Sequence, residues 1–288
     1  MKEFTFIVIT YNQEQYVTEH LESIKYLVQT YGAGMDIDIV VADDKSRDRT
    51  VEVVRAWLKA NWELFRNVLV IDREENVGTI RNIQTAIEAT KTEQFKFLAG
   101  DDKYNGANIF ELQKKDTMVI TPVEPFGEPQ EKDLAVFREF YRLILRHNTK
   151  EKLAALLQYA SVVPAPGVFL DSNIYRQEGL WEFLKQFRLI EDYPTWSYLL
   201  RNKGIKLNVE VLTTPYIYYR MSSGVSTGSK SSVFEKEEQK VIEVLRVKTK
   251  RYPKYINIYK YIYLLKRLLA RHLNSEDAMK IDEIYKAK

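Results

Sequence analysis

From Phe4 to Thr10 nearly every position is apolar; the chain then turns polar and resumes with Val17, Leu21, Ile24 and Val28 at spacings of 4, 3 and 4. An unbroken apolar run predicts a buried strand, and the spacing marks one face of a helix. The alternation recurs. Ile37 to Ala42 predicts a strand followed by a helix carrying Val51, Val54 and Leu58, and Val68 to Ile71 a strand followed by a helix carrying Ile80, Ile83 and Ile87. Phe95, Phe97, Leu98 and Ala99 then form a fourth strand. This order predicts an α/β fold, a doubly wound and mostly parallel sheet flanked by helices on both faces.

Beyond Asp102 the pattern is less regular. Met118 to Thr121 predicts a strand, and Pro122, Pro125, Gly127 and Pro129 mark a loop. Asp133 to Arg146, Lys152 to Tyr159 and Ile190 to Asn202 predict helices, and Lys206 to Leu212 a strand. Val162 to Gly167 is too proline-rich for a helix interior, and the second half's active-site loop is expected there. Ser222 to Ser232 reads as a small polar loop, and Phe234 to Leu273 as helical with an interruption near Pro253. The expected organisation is one domain over 1–228, with a nucleotide-binding half (1–110) and a second half (111–228), then a basic helical extension over 229–288.

Composition narrows the class. The 288 residues are 45% hydrophobic and 29% charged, which suits a soluble globular chain. A formal charge of +3 gives no reason to expect nucleic-acid binding. Its placement is uneven: Arg246 to Arg271 holds nine Lys and Arg and no Asp or Glu, interleaved with aromatic and aliphatic residues. Such a segment suits peripheral contact with an anionic membrane, or else braces the catalytic domain with its charges in water. Met1, Lys2 and Glu3 lead into the first strand without a secretory pattern, and no stretch reaches the ~20 apolar residues of a membrane span. A cytoplasmic location, peripheral at the inner face of the cell membrane, is expected.

The candidate chemistry lies at the strand ends. Asp101 and Asp102 end the fourth strand, and roughly 60 residues earlier Asp43 and Asp44 end the second, so strands at ~3.3 Å per residue can bring both pairs to one sheet edge. Either pair alone also fits a solvated turn or a helix N-cap. With no cysteine and only His20, His147 and His272, any cation is a hard one, Mg²⁺ or Mn²⁺. Mg²⁺ takes one or two carboxylates and completes its shell from substrate phosphates, which predicts a diphosphate partner. Thr10, Tyr11, Asn12 and the Asp43/Asp44 pair can supply the base and ribose site, with Tyr11 as a stacking face. A carboxylate that accepts a ring N–H selects uracil or thymine over cytosine. Asn12 can equally cap the following helix.

The segments Val8-Ile9-Thr10-Tyr11-Asn12, Ala42 to Thr50, Asn76-Val77-Gly78-Thr79-Ile80-Arg81-Asn82 and Gly100-Asp101-Asp102 resemble, in order and spacing, the family 2 glycosyltransferases of GT-A fold. The match is close over about the first 110 residues. It continues loosely through Ile190 to Trp196, like the family's acceptor-side acidic motif, and Tyr218 to Ser226, like its closing loop. The resemblance implies inverting transfer from a nucleoside diphosphate sugar, UDP-linked by preference, to a hydroxyl of a cell-surface glycan or lipid-linked acceptor. It implies Asp102 and Asp101 as metal and ribose-phosphate carboxylates, and Tyr11 with Asp44 or Asp43 at the base. Gly78 and Arg81 fall near the nucleotide, Arg220 in a loop closing over the diphosphate, and Glu191 or Asp192, with Asp192 preferred, acts as general base. Lys45 stands where many relatives have glycine.

Two other readings share features with this one. A catalytically silent nucleotide-sugar-binding module would keep the strand-end residues, but the Glu191/Asp192 pair argues against it. A sugar nucleotidyltransferase would need a Gly- and Lys/Arg-rich phosphate loop after the first strand, where this chain has Tyr11-Asn12-Gln13-Glu14.

Overall fold

The computed structural model describes residues 2–129, 131–159, 161–221, 232–246 and 276–286. Its first half runs β1 (Lys2–Thr10), α1 (Val17–Tyr31), β2 (Met35–Asp43), α2 (Thr50–Ala60), β3 (Asn67–Asp72), α3 (Thr79–Ala89) and β4 (Gln94–Ala99). The four strands are all parallel, in the order β3-β2-β1-β4. The chain steps outward from β1 to β3 and then returns to the other side of β1. Strand order therefore reverses between β1 and β4, and such a reversal opens a crevice at the carboxyl ends of the strands. Register places Thr10 beside Asp43 and Ile9 beside Ala99, so both acidic pairs emerge at that edge.

The middles of β1 and β2 are mostly apolar because both faces of the sheet are covered there. Phe4, Phe6 and Val8 pack with Leu21, Ile24, Leu27, Val54 and Leu58, whereas Ile7, Val40 and Ala42 face Ile80, Ile83 and Ile87. The helix faces predicted from spacing are the ones that supply these contacts. At the sheet edge β3 is less covered than its run suggests, with Val68 and Leu69 40% and 41% exposed.

The second half contains β5 (Lys103–Tyr104), β6 (Thr117–Ile120), β7 (Val123–Phe126), α4 (Glu131–Arg146), α5 (Lys150–Leu156), β8 (Val168–Leu170), α6 (Ser172–Tyr175), α7 (Glu178–Leu184), α8 (Asp192–Arg201), β9 (Asn208–Val211) and β10 (Ile217–Arg220). Two three-stranded sheets, β8-β6-β9 and β5-β10-β7, each combine one parallel and one antiparallel pairing. β6 and β9 correspond to the predicted strands. β5, β7, β8 and β10 are too short to show a period, and β7 contains Pro125, tolerated because β7 is an edge strand. The proline-rich break contains a 3₁₀ turn, Ala165–Gly167.

Two further helices, α9 (Ser232–Val244) and α10 (Glu276–Ile284), pack on this domain. Val241, Leu245, Ile281 and Tyr285 join the core that contains Trp196 and Tyr141. The Arg201 guanidinium donates to the Leu245 carbonyl at 2.8 Å, and the Tyr285 hydroxyl donates to the Val123 carbonyl at 2.7 Å. The polar loop expected over 222–232, save its last residue, and the basic stretch beyond Arg246 lie outside the described residues. Among the described residues no helix is long and apolar enough to cross a membrane.

Removal of residues 247–288 strips Tyr285 from its stacks on Phe137 and Tyr141, 6.2 and 6.0 Å away, and takes Ala278 and Ile281 with it. A loss of several kcal/mol is expected, at about 1.5–3 kcal/mol for each large apolar side chain uncovered. Urea denaturation checks this, and an unchanged midpoint would show that α10 contributes nothing to the fold.

Candidate functional site

The loops at the ends of β1 and β2 are tied to each other. Asp43 accepts the Thr10 hydroxyl at 2.8 Å, the Ser46 hydroxyl at 2.5 Å and the Ser46 N–H at 2.7 Å. Asn12, at φ 52, donates its N–H to Ser46 Oγ at 2.8 Å, and its Oδ1 accepts the Arg47 N–H at 2.7 Å. It staples the 45–47 turn and does not cap α1, whose N-cap position is Tyr16. Lys45 has φ 66, a left-handed conformation that glycine adopts freely, so the turn is kept with a side chain present. Tyr11, 40% exposed, leaves its ring open to a ligand.

Asp44 turns the other way. Its carboxylate accepts the N–H groups of Val77 and Gly78 at 2.7 and 2.9 Å, and its carbonyl accepts Asn76 Nδ2 at 2.9 Å. Burial raises its pKa, while these N–H groups and the charges of Arg73 and Arg188 act against the rise. Gly78 has φ 91, and a Cβ there would lie 2.3 Å from Arg188 Cγ. Its place in the motif is thus a packing requirement. Arg81, expected near the nucleotide, is exposed on α3 and does not line the cavity described next.

A cavity of about 350 Å³ opens between the halves. Asp101, Asp102, Glu191, Asp192 and Arg220 all line it, as do Ser161 and, from the predicted active-site loop, Val162 to Pro166. Phe137, Phe140, Val162 and Pro164 give it an apolar wall. The short antiparallel pairing of β5 with β10 carries Arg220 across about 120 residues of sequence to the acidic pair. Its N–H donates to Asp102 Oδ1 at 2.8 Å and its Nε to the Asp101 carbonyl at 2.8 Å. The guanidinium also meets Glu19 at 2.7 Å and lies 4.4 and 4.3 Å from the rings of Tyr16 and Phe126. The expectation of a closing-loop residue needs correction here: Arg220 ends a strand and is held on the carboxylate side of the cavity.

Asp102 is buried, and its pKa is raised well above the ordinary range by burial and then by the charge of Asp101. Two neighbouring carboxylates in such a place favour a cation, and both present oxygen. Among the described residues no cluster of three or more metal-ligating side chains exists; an ion held by Asp101 and Asp102 alone would have to take its remaining ligands from substrate and water. His20, distant in sequence, lies directly behind: its Nδ1 is 2.8 Å from the Asp102 carbonyl oxygen, and burial lowers its pKa to about 4. It is a neutral support rather than a ligand.

Glu191 and Asp192 meet the cavity at the start of α8, which Trp196 and Tyr193 anchor through bonds to the carbonyls of Val163 at 3.1 Å and Leu157 at 2.7 Å. Burial raises both carboxyl pKa values. For Glu191 the charge of Asp192 adds to the rise; for Asp192 the Tyr193 N–H, 2.6 Å from Oδ1, opposes it. Beneath the sheet, Lys96 is buried with its ammonium on the Val168 carbonyl at 2.9 Å, a group that sequence reading passed over inside a strand.

Burial lowers the Lys96 pKa from 10.5 to about 7, with the charges of Asp102 and Glu191 opposing the shift. Between these values the unfolded chain binds more protons at this residue than the folded one, so stability should rise as pH rises through that window. Lys96→Met should flatten this part of the stability profile, as thermal melts across the range will read; an unchanged slope would mean that Lys96 titrates normally.

Residues 5–117 match the model of glycosyl transferase family 2. The chain is 28% identical over 226 residues to the teichoic acid poly(glycerol phosphate) polymerase of Staphylococcus epidermidis, covering 76% of this chain and 28% of that protein's length. It is 26% identical over 262 residues to an uncharacterized glycosyltransferase of Haemophilus influenzae, covering 87% and 73% of the two. The crystal structure of S. aureus TarS 1–349 in complex with UDP-GlcNAc superposes with a TM-score of 0.57 at 19% identity, covering 99% of this chain and 79% of that one, a likeness of fold.

Proposed function

We propose, from the match of residues 5–117 to the glycosyl transferase family 2 model, that the chain is an inverting, divalent-metal-dependent glycosyltransferase. It moves a hexosyl or N-acetylhexosaminyl group from a UDP-sugar to a hydroxyl of a cell-surface glycan or lipid-linked acceptor. The observation that carries this reading is the convergence of Asp101/Asp102, Arg220 and Glu191/Asp192 on one cavity from three separate stretches of chain. The UDP-GlcNAc complex of TarS and the similarity to a teichoic acid polymerase support the choice of donor and acceptor.

In this reading the uracil stacks on Tyr11 and the diphosphate lies over the Asp101/Asp102 edge. Mg²⁺ or Mn²⁺ held by Asp102 and Asp101 would supply positive charge to the leaving diphosphate. Arg220, fixed by Glu19 and the Asp101 carbonyl, adds a second positive charge at the same edge. The acceptor enters along the wall of Phe137, Phe140 and Val162. Asp192 takes the proton of its hydroxyl, the oxygen bonds to the anomeric carbon, and the bond to the diphosphate breaks on the opposite face. Burial strengthens these charges by excluding water.

A thermal-shift screen of nucleotide sugars with Mn²⁺ tests the donor assignment, because a ligand bound only by the native state raises the melting temperature. UDP-sugars should give the largest shifts; a larger shift with guanosine or cytidine donors would overturn it. Tyr11→Ala should weaken UDP by about 1–3 kcal/mol, the range for loss of base–aromatic stacking. Calorimetry that finds equal UDP affinity in the variant would remove Tyr11 from the base site.

A further inference from the structure

We propose that Glu237, on α9, is a positioning residue for the Glu191/Asp192 pair: its carboxylate fixes the backbone of residues 189–190 and thereby sets where the pair aims. The inference rests on reading that pair as the site of proton removal.

Glu237 sits in the charged run Glu235-Lys236-Glu237-Glu238. The structure buries it to 8% exposure, and one oxygen, Oε1, accepts the N–H of Leu189 at 2.6 Å and of Ile190 at 2.7 Å. A buried carboxylate is unfavourable unless its hydrogen bonds are made, and bonds to a charged acceptor are about twice as strong as neutral ones. The two amides it holds immediately precede Glu191. Phe234, three residues earlier on the same helix, lines the cavity, so α9 contributes both a wall and this clamp.

The segment is held from the other side as well. Arg188 donates Nη2 to the Asn76 carbonyl at 2.9 Å and to Asn76 Oδ1 at 2.7 Å, and its own carbonyl accepts the Ile80 N–H at 3.1 Å. Asn76 in turn donates to the Asp44 carbonyl, and Gly78 leaves the space that Arg188 occupies. Residues 188–190 are therefore gripped between the nucleotide-side turn and α9, and the acidic pair is the next thing in the chain.

Both amides bond to a single oxygen, so Glu237→Gln can keep both bonds without the charge, Glu237→Asp keeps the charge but withdraws the oxygen, and Glu237→Ala keeps neither. In Glu237→Ala, kcat should fall on the order of 10²-fold, the effect of a misplacement of about 1 Å, while the donor KM stays unchanged. Hydrogen exchange at the Leu189 and Ile190 amides should accelerate. Glu237→Gln should restore most of kcat and of the protection. Unchanged kcat and exchange in the Ala variant, or a Gln variant as impaired as Ala, would overturn the proposal. If Glu237→Ala does not fold, the other two variants decide: an impaired Asp with an active Gln supports positioning, and the reverse refutes it. A wild-type protein that transfers no sugar defeats the functional reading instead, and amide exchange in the same variants still decides whether Glu237 holds the segment.

Discussion

Asp192→Asn should leave UDP-sugar affinity nearly unchanged and cut turnover by about 10²–10⁴-fold, the range that a positioned general base contributes. Asp192 lines the cavity, and its Oδ1 accepts the Tyr193 N–H. Neighbouring helical positions diverge by about 100°, so one member of the pair faces the acceptor hydroxyl better than the other. Burial pushes both carboxyls up. The charges of Asp192 and Glu237 add to the rise at Glu191, and the Tyr193 N–H opposes it at Asp192. The pair titrates as a unit, and turnover should decline as pH falls through values above the ordinary aspartate range. An inactive Glu191→Gln beside an active Asp192→Asn would exchange the two roles; normal turnover in both would make the motif structural.

Asp102→Asn should abolish metal-dependent donor binding with the fold intact. The amide oxygen can still accept the Arg220 N–H, and the bond from His20 goes to the backbone carbonyl, which the substitution leaves in place. Only the charge is lost. Because burial and Asp101 raise the carboxyl pKa, ionisation of Asp102 opposes folding at neutral pH, so the variant should be at least as stable as wild type. Calorimetric titration of UDP with and without Mn²⁺ separates the cases. An undiminished metal-linked gain in UDP affinity in the variant would take the cation away from Asp102.

The first half is legible because its inner strands are covered on both faces and its helices on one, so periodicity there reports burial directly. The strand-end residues Thr10, Asp43, Asp101 and Asp102 follow from that frame. What escapes is set by contacts between distant segments. Arg220 belongs to a four-residue strand whose only visible signal is its motif, and its position comes from pairing with β5 on one side and β7 on the other. Arg188, His20 and Glu237 carry no local pattern, because each acquires its role from an element far away in sequence. Lys96 is hidden differently, as a charge passed over inside an otherwise apolar strand. Gly78 and Asp44 are visible as motif members, but the bonds that join them belong to the loop itself, which sequence spacing cannot distinguish from contact with a ligand.

The central claim is that one cavity joins a nucleotide-sugar edge to a proton-accepting pair. Turnover of the UDP-sugar that gives the largest thermal shift, with Mn²⁺ and a panel of glycan and lipid-linked hydroxyl acceptors, tests it directly when the anomeric configuration of the product is read by NMR. The account predicts UDP release coupled to a product of inverted configuration, abolished in both Asp102→Asn and Asp192→Asn. Tight UDP-sugar binding without transfer or donor hydrolysis, or a product of retained configuration, would contradict it.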